Sequence, residues 1–403
     1  MPGFRSFRYV ASPIRIHAGD DVMPRLGDEA GRAGASRAFV VCGQTVANGT
    51  NLLDRVGSAL GDRLAGVFDR VETGSPVPPV QQGAIMARDA EADLIVAVGG
   101  GSAVVTARAI IILLAEGGAI HDLATKYPPG APPISPRLMQ PKVPNFVVLT
   151  TPTTAATRAG AAVIDPEVGH RLELFDPKTR PSALFWDSEA LLTAPPWLFL
   201  SAAASCYSGV VGALQSGRGN DPLAEGHLRQ ALTLLQENMS QVNLQPDNGE
   251  VRQNLCAAAF LSNRAGDSGD GGGGGAMGVV GALAHSLDTR YRECSHGAAY
   301  SILTAPGMRF NQNHNTSGQA RLASILGVRQ ETMNEEQAAE AAASAVAETY
   351  RGLGMASRLS EVGVTEDGIE LIAEDAITDF GLQRNVRPVQ NAKELAELLR
   401  GIL

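Results

Sequence analysis

Short apolar runs alternate with amphipathic stretches through the first half of the chain. Four of the runs are rich in β-branched or aromatic residues and are bounded by Gly, Pro or polar residues, which is typical of buried strands. They occupy residues 38–42, 94–98, 146–149 and 183–186. Amphipathic stretches at residues 52–64 and 80–90 have the period of helices. This alternation predicts a parallel sheet with helices on both of its faces.

The pattern changes after Pro195 and Pro196. Long Ala- and Leu-rich helical patterns follow at residues 223–237, 334–353 and 392–403, with no strand-like runs between them. Residues 266–278 read GDSGDGGGGGAMG. Each Gly would cost a helix interior about 1 kcal/mol relative to Ala, so we expect a mobile loop there. The prediction is an α/β domain at residues 1–190 and an all-α domain at residues 191–403.

The length and composition suit a globular protein of two domains. A chain of 403 residues is too long for one ordinary core. The formal net charge is −9, and Lys and Arg do not cluster, which argues against a nucleic-acid partner. There is no signal-peptide pattern and no run of 18 apolar residues, so we expect a cytoplasmic protein without a membrane partner. We also expect a homodimer.

The four cysteines do not form any CxxC pair. They are Cys42, Cys206, Cys256 and Cys294. Scattered cysteines of this kind fit reduced, buried thiols in a cytosolic protein and give no zinc knuckle or disulfide framework.

A glycine turn follows the second predicted strand. Residues 94–98 run into Gly99, Gly100, Gly101 and Ser102, and a helical pattern begins directly afterwards. Bare backbone N–H groups and the positive end of a helix dipole at such a turn can hold a pyrophosphate. By itself the turn is equally consistent with an ordinary tight connection from strand to helix.

A hydroxyl-rich turn follows the third predicted strand. Residues 150–157 read TTPTTAAT, and ligands of open α/β sheets bind outside the carboxyl ends of the strands. The threonine hydroxyls can donate to phosphate or ribose oxygens. The alternative is a Thr-rich helix cap.

The order of the motifs resembles a known family over essentially the whole chain. VGGGS, TTPTTAAT, AVIDPE and ALFWDSEALLTAPP are followed by AHSL, SHGAAYSILTAPGMRFN and NVRP. This succession is similar to the iron-containing alcohol dehydrogenase superfamily, which has a dehydroquinate synthase-like fold, and to its metal-independent branch, the maleylacetate reductases. The resemblance implies a Rossmann-like dinucleotide-binding domain before an all-helical catalytic domain.

The resemblance also implies the residues that bind the cofactor, NAD or NADP. Gly99, Gly100, Gly101 and Ser102 correspond to pyrophosphate contacts, and Thr153, Thr154 and Thr157 to the nicotinamide side. Many relatives carry an acidic residue after the first strand, where it excludes a ribose 2′-phosphate. Here that position is Gly43, so NADPH is expected to be tolerated.

The metal site of the family is not preserved in this sequence. Relatives use an Asp and a His one helical turn apart and two further His downstream. The corresponding residues are Ser208, Gly212 and Gly281, and the last ligand, His296, remains. An alignment shifted by one residue gives Tyr207 and Val211, which are no better ligands. One imidazole cannot hold a divalent ion, so we expect no bound metal.

A reaction without a metal needs another proton or charge donor. Reduction of an activated carbonyl requires only a proton on the oxygen. By resemblance, His285 corresponds to the family histidine beside the nicotinamide and the substrate, and His296 to the remaining metal ligand, so these two are the candidate general acids. Either histidine can instead be an ordinary hydrogen-bonded side chain. Ser208, Gly212 and Gly281 are expected to leave more room for a substrate, and Arg158, Arg290 or Arg292 to pair with its carboxylate.

The leading hypothesis is therefore an NAD(P)H-dependent, metal-independent reductase of a small oxo-acid such as maleylacetate. The alternatives are a lyase or isomerase with non-redox chemistry on the same fold, a catalytically silent binding protein, and a metal-dependent alcohol dehydrogenase with relocated ligands.

Overall fold

The chain divides into two units. The computed structural model describes residues 6–128, 133–167, 170–215, 221–267, 277–291, 293–379 and 381–403. The α/β unit contains Ser12–Phe199 and Gln245–Cys256. The helical unit contains the segment up to Ala11, Leu200–Leu244 and Ala257–Leu403.

The α/β unit alternates strands and helices along the chain. Its elements are β1 (Arg15–Gly19), α1 (Arg25–Arg32), β2 (Ala38–Cys42), α2 (Gln44–Gly49), α3 (Leu52–Leu60), β3 (Leu64–Phe68), α4 (Val77–Asp89), β4 (Leu94–Gly99), α5 (Gly101–Glu116), α6 (Ile120–Leu123), β5 (Asn145–Leu149), β6 (Ala161–Asp165), β7 (His170–Leu174), β8 (Ala183–Asp187) and α7 (Ser188–Leu192).

Six of these strands form one parallel sheet, in the order β1-β8-β5-β4-β2-β3. The register pairs Cys42 with Val98 and Gly99 with Leu149. β6 and β7 form a separate antiparallel hairpin. The prediction of an α/β fold with a parallel sheet is confirmed, and all four predicted strands are present.

The sequence did not reveal β1 and β3, which lie at the two edges of the sheet. β1 reads RIHAG, with only one strongly apolar residue. The LAGVF of β3 follows α3 so closely that its first residue appeared to continue the helical period to residue 64. Edge strands are half-exposed, so their apolar pattern is weaker than that of central strands.

Helices cover both faces of the sheet, and every residue of the central strands is buried. Ala38, Val40 and Cys42 of β2 face a core that includes Leu26 of α1 and Val56 of α3. Phe39, on the other face, lies against Gly66 and Ala90, at the end of α4. On that face α4 and α5 pack together where Ile110 meets Gly83.

The helical unit contains no strand among its described residues. Its helices are α8 (Pro196–Leu214), α9 (Pro222–Asn238), α10 (Gln241–Leu244), α11 (Gly249–Ala265), α12 (Gly278–Arg290), α13 (His296–Ile325), α14 (Glu335–Gly352), α15 (Glu366–Ala376) and α16 (Ala392–Arg400), of which α8 and α11 begin in the α/β unit. The prediction of an all-α second half is confirmed for the described part of the chain.

Among the described residues, one helix, α8, is long and apolar enough to cross a membrane. Its most apolar window of 18 residues is 72% buried inside the structure. Burial of this extent is what a core helix shows.

The division of the chain differs from the predicted boundary after residue 190. Arg252 of α11 donates to the carbonyls of Leu191 and Ala194, at 2.8 and 2.6 Å, which attaches residues 245–256 to the α/β unit. Val10 N–H donates to Asp267 O at 2.9 Å in the helical unit. These contacts join residues far apart in sequence, and periodicity carries no information about such pairs.

The predicted glycine loop lies largely outside the described residues, since residues 268–276 belong to none of the described ranges. On its two sides, α11 ends at Ala265 and α12 begins at Gly278. All four cysteines are buried and remain thiols, as predicted.

Candidate active site

The turn after β4 has the geometry that a dinucleotide phosphate needs. β4 ends at Gly99, whose φ of 143° favours glycine, and α5 begins at Gly101. Gly100 is the N-cap of α5 and makes no side-chain cap. The first N–H groups of α5 therefore have no capping side chain of their own, and the positive end of the helix dipole lies at the same edge.

The threonine turn after β5 lies against this glycine turn. Thr150 N–H donates to Gly99 O at 3.1 Å. A Cβ atom on Gly100 would lie 2.7 Å from Thr151 Oγ1, and one on Gly101 would lie 3.1 Å from Thr153 Oγ1. The absence of side chains on the two glycines is what permits this close approach.

The three predicted nicotinamide-side threonines belong to one short element. Thr153 is the N-cap of the 3-10 turn Thr154–Thr157, and its Oγ1 accepts from Ala155 N–H at 3.1 Å. Thr153, Thr154 and Thr157 are half-buried. The turn is thus both a threonine cap and a hydroxyl-bearing segment at the carboxyl end of β5.

Ser102 and Gly43 lie at the same edge of the sheet. Ser102 Oγ accepts from Gly74 N–H at 3.2 Å, and Ser102 O accepts from Ser75 Oγ at 3.0 Å, so the turn after β3 is attached to the start of α5. Gly43 follows β2 and is the N-cap of α2. No carboxylate side chain is present at this position.

The glycine and threonine turns at this edge of the sheet fit a dinucleotide. The neighbouring strands β5, β4 and β2 end at one edge, and the turns that follow them are formed by glycines and threonines. A pyrophosphate needs N–H and hydroxyl donors without side chains in between. The predicted cofactor residues are therefore brought together, while their contacts with the cofactor itself stay a prediction.

The first metal-ligand position of the family lies in a buried hydroxyl cluster of the helical unit. Ser208 on α8 is 3% exposed, and its Oγ accepts from Thr304 Oγ1 at 2.8 Å. The Tyr350 hydroxyl, whose pKa is raised by burial, donates to Ala204 O at 3.0 Å. Ser208 is thus a core residue whose hydroxyl binds another side chain.

The second and third ligand positions differ in the space around them. A Cβ on Gly212 would lie 2.9 Å from Met277 Cγ, whereas a Cβ on Gly281 would meet no atom within 4 Å. The expectation of extra room is wrong at Gly212, because Met277 occupies the volume that a larger side chain would need. It is supported at Gly281.

The residues present do not fit a divalent metal ion. Ser208, Gly212 and Gly281 offer no carboxylate or imidazole, and a histidine at 212 would displace Met277. In the shifted register, Tyr207 and Val211 are both fully buried. Among the described residues, no group of three or more His, Cys, Asp or Glu side chains has the arrangement of a metal site.

Each of the two candidate acid histidines contacts a carboxylate. His285 Nδ1 on α12 lies 2.9 Å from Asp379 Oδ2, and His296 Nδ1 lies 2.6 Å from Asp288 Oδ2. The side chain of His285 is 23% exposed and that of His296 is 48% exposed. Gly281, His285 and Asp288 have the spacing of one helix face.

The candidate arginines have different environments. Arg290 is bound by Asp375 through Nε at 2.6 Å and Nη2 at 2.8 Å. Arg158 is exposed. Arg292 lies outside the described residues. A substrate carboxylate at Arg290 would have to compete with Asp375.

A buried cation, Arg108 of α5, lies beneath the threonine turn. It donates through Nη1 to the carbonyls of Ala155 and, at 2.7 Å, of Arg158. Burial and the nearby charge of Arg158 lower the pKa of Arg108 to about 9, so the side chain remains a cation at neutral pH. In the part of the chain that the structure describes, neither guanidinium forms an ion pair with a carboxylate.

Two motifs of the helical half pack against each other. Asn311 and Asn385 exchange side-chain amide hydrogen bonds of 3.0 and 2.8 Å. The Arg387 guanidinium stacks on the Phe310 ring, 3.8 Å from its centroid. The RFN and NVRP motifs are therefore structural partners.

The sequence did not reveal the carboxylates that hold the histidines. Asp379 and Asp288 lie in polar helical or turn segments, where acidic residues are common. Of the two carboxylates, only Asp379 gave an indirect signal in the sequence, because it lies six residues before the NVRP motif. Arg108 and the Gly74–Ser75 turn were also absent from the predicted set of site residues.

Two family models cover most of the chain. Residues 13–188 match the model of the iron-containing alcohol dehydrogenases, and residues 213–403 match the C-terminal model of the Fe-containing alcohol dehydrogenase family. The chain belongs to the iron-containing alcohol dehydrogenase family. The predicted resemblance and the assignment to the oxidoreductases are thereby confirmed.

Individual relatives of this family match over nearly the whole length. The NAD-dependent methanol dehydrogenase of Bacillus methanolicus is 26% identical over 390 residues, covering 96% of this chain and 97% of the relative. The alcohol dehydrogenase from Oenococcus oeni has a TM-score of 0.86 at 21% identity, covering 99% and 100% of the two chains. The maleylacetate reductase from Rhizobium sp. strain MTP-10005 has a TM-score of 0.76 at 21% identity, covering 99% of both. At these identities the structural likeness shows the fold alone.

The close approach at Gly100 gives a test of the dinucleotide site in this family member. The substitution Gly100→Ala places a methyl group against Thr151 and over the first N–H groups of α5, so we expect NADH and NADPH to bind at least about tenfold more weakly, a loss of about 1.4 kcal/mol. The measurement is quenching or enhancement of nicotinamide fluorescence on titration.

Gly226→Ala is the matched control. A Cβ on Gly226, within α9, meets no atom within 4 Å, so this variant should keep wild-type affinity and gain a little helix stability. Equal affinities for wild type and Gly100→Ala would show that the phosphates do not bind at this turn.

Proposed function

We propose that this protein is a metal-independent, NAD(P)H-dependent reductase of an activated small oxo-acid, with His285 as the general acid. The observation that carries the proposal is the identity of two residues on one face of α12, Gly281 and His285. Its ligand position is Gly281, which cannot bind an ion, and one turn later it presents His285, an imidazole held by a carboxylate. The dinucleotide edge of the α/β unit keeps its glycine and threonine turns.

The charge around the threonine turn supports an anionic substrate. Arg158 lies close enough to Arg108 for its charge to lower the pKa of Arg108, and neither side chain pairs with a carboxylate in the described ranges. Two neighbouring cations create a positive potential that favours a bound anion. The exposed Arg158 is the residue we propose for the substrate carboxylate, since a guanidinium can bind it through two hydrogen bonds. Arg290 has no part in the proposal, because Asp375 already binds it.

The chemistry follows from what the residues can supply. A reduced nicotinamide, when bound, supplies a hydride to the carbonyl carbon. The C=O double bond then becomes a C–O single bond, and its oxygen needs one proton. A protonated imidazole gives up such a proton readily near neutral pH. An oxo group beside electron-withdrawing carboxylates is easier to reduce than a plain ketone, so it depends less on a Lewis acid.

We assign the proton to His285 because it is the more enclosed of the two histidines. A donor with less access to water is held in one position relative to its partner and is less exposed to competing hydrogen bonds. His296 is the second candidate. Substitution to Gln separates the two, since Gln keeps hydrogen-bonding capacity but cannot donate an acidic proton.

The lack of a carboxylate at Gly43 supports the use of both reduced dinucleotides. A negative charge beside the ribose would repel a 2′-phosphate, and a glycine does not. We therefore propose NADH and NADPH as alternative cofactors.

A substrate panel tests the proposal. Chelator-treated protein is mixed with NADH or NADPH and a series of oxo-acids that includes maleylacetate, with simple aldehydes and ketones as the comparison. We expect loss of absorbance at the nicotinamide band with oxo-acids and much slower loss with uncharged carbonyls. The His285→Gln variant should lose most of the activity. Turnover of uncharged carbonyls alone, or wild-type rates for both His285→Gln and His296→Gln, would contradict the proposal.

The role of Arg158 gives a second prediction. Arg158→Gln removes the cation proposed to bind the carboxylate, so KM for the oxo-acid should rise about tenfold or more, while KM for the dinucleotide stays nearly constant. The measurement is steady-state kinetics with each substrate varied in turn. Arg137→Gln, a change of another exposed arginine of the α/β unit, should leave both KM values unchanged. An unaltered KM for the oxo-acid in Arg158→Gln would exclude this contact.

A further inference from the structure

A segment made up of residues 375–379 and 381–385 contacts α12 near both ends of the helix. Asp375 binds Arg290 and accepts from Ser286 Oγ at 3.3 Å. At the other end, Asn385 Oδ1 accepts from Val279 N–H at 3.1 Å, in the first turn of the helix. The segment is thus attached to α12 near both ends of the helix, and His285 lies between these attachments.

Asp379 lies in this segment, and both oxygens of its carboxylate make hydrogen bonds. Its Oδ2 lies 2.9 Å from His285 Nδ1, and its Oδ1 accepts from Gly381 N–H at 2.7 Å. The side chain is only 15% exposed. A carboxylate fixed in this way by its own turn has little freedom to follow the imidazole, so the imidazole must follow the carboxylate.

The contact determines where the imidazole carries its proton. An ionised carboxylate only accepts hydrogen bonds, so Nδ1 is the protonated nitrogen of the neutral ring. The second proton of the imidazolium is then on Nε2, the ring nitrogen that does not face Asp379. Release of that proton from Nε2 to a substrate oxygen returns the ring to the same neutral tautomer.

We propose that Asp379 is a positioning residue for His285, which keeps the imidazole in the Nδ1-protonated form and orients Nε2 as the acid of the reductase. The inference rests on the proposed function. Asp379 takes up no proton in this step, and His285 regains its proton from water after each turnover.

The other histidine–carboxylate pair is less fixed. Asp288 Oδ2 binds His296, but Asp288 Oδ1 is buried without a hydrogen-bond partner in the described part of the chain. His296 is also about twice as exposed as His285. The geometry therefore favours the Asp379–His285 pair as the preorganised one.

The Asp379→Asn variant tests the inference with almost no change of shape. The amide oxygen can still accept from Gly381 N–H, but the amide N–H₂ then faces His285 Nδ1 and favours the tautomer with the proton on Nε2. We expect kcat to fall about 100-fold or more, within the range of general acid catalysis, while both KM values change little. Nitrogen-15 NMR of histidine-labelled protein, with His285 assigned by the His285→Gln variant, should show the exchange of tautomers.

Asp375→Asn is the matched control, because it lies on the same segment and binds the same helix. Removal of its partly exposed ion pair with Arg290 should lower thermal stability only modestly. It should leave kcat within about threefold of wild type and the His285 tautomer unchanged. If Asp379 were only a structural contact, both variants would lower kcat in proportion to their loss of stability.

A double variant shows whether Asp379 acts through His285. In the His285→Gln background, Asp379→Asn should cause no further loss of kcat, because the side chain that it orients is gone. Asp379→Glu retains a carboxylate and should recover the Nδ1-protonated tautomer and part of the activity, which gives a readout even if the Asn variant folds poorly.

The outcomes separate this inference from the proposed function. A wild-type protein that reduces no oxo-acid contradicts the proposed function, whereas the NMR tautomer is measured without turnover. An unchanged tautomer in Asp379→Asn, an unchanged kcat, or an equal loss of kcat with and without His285 would each overturn the positioning role.

Discussion

The parallel register of β5, β4 and β2 is the constraint on which the candidate site depends. Parallel strands end at the same edge, and pairing of Gly99 with Leu149 places the glycine turn beside the threonine turn. The two turns then approach so closely that a single Cβ on Gly100 would lie 2.7 Å from Thr151. The central strands are buried on both faces, so slippage of the register would expose or misalign a fully apolar set of side chains. Packing of the core thus fixes the geometry of the edge that would hold the dinucleotide.

Direct side-chain contacts join the RFN and NVRP motifs of the helical unit. The Asn311–Asn385 pair and the Arg387–Phe310 stack join two motifs that the resemblance singled out. The positions predicted to correspond to the metal ligands of the family make other contacts. Ser208 belongs to a buried hydroxyl cluster, and Met277 fills the space beside Gly212. A single His at position 212 would therefore still lack partner ligands, since Ser208 and Gly281 offer neither a carboxylate nor an imidazole.

Much of the fold could be predicted from the sequence, and the strands and contacts that were missed have physical reasons. Central strands such as β2 and β4 gave clear signals because every residue is buried, whereas the edge strand β1 is mostly polar and gave none. Gly99–Ser102 and the threonine turn were predictable because glycines and hydroxyls at a strand end have a direct chemical meaning. Asp379, Arg108 and Met277 were not, since each acts through a partner that is distant along the chain. The sequence also did not reveal, for the same reason, that residues 245–256 belong to the α/β unit.

The central claim is that proton donation by a side chain replaces an ion in this member of the family. The most direct measurement determines metal content and oxo-acid reductase activity on one preparation, after exhaustive chelation and again after addition of stoichiometric Fe²⁺ or Zn²⁺. The account predicts full activity with metal far below one ion per chain and no gain on addition. Activity that disappears on chelation and returns in proportion to the added ion would contradict it.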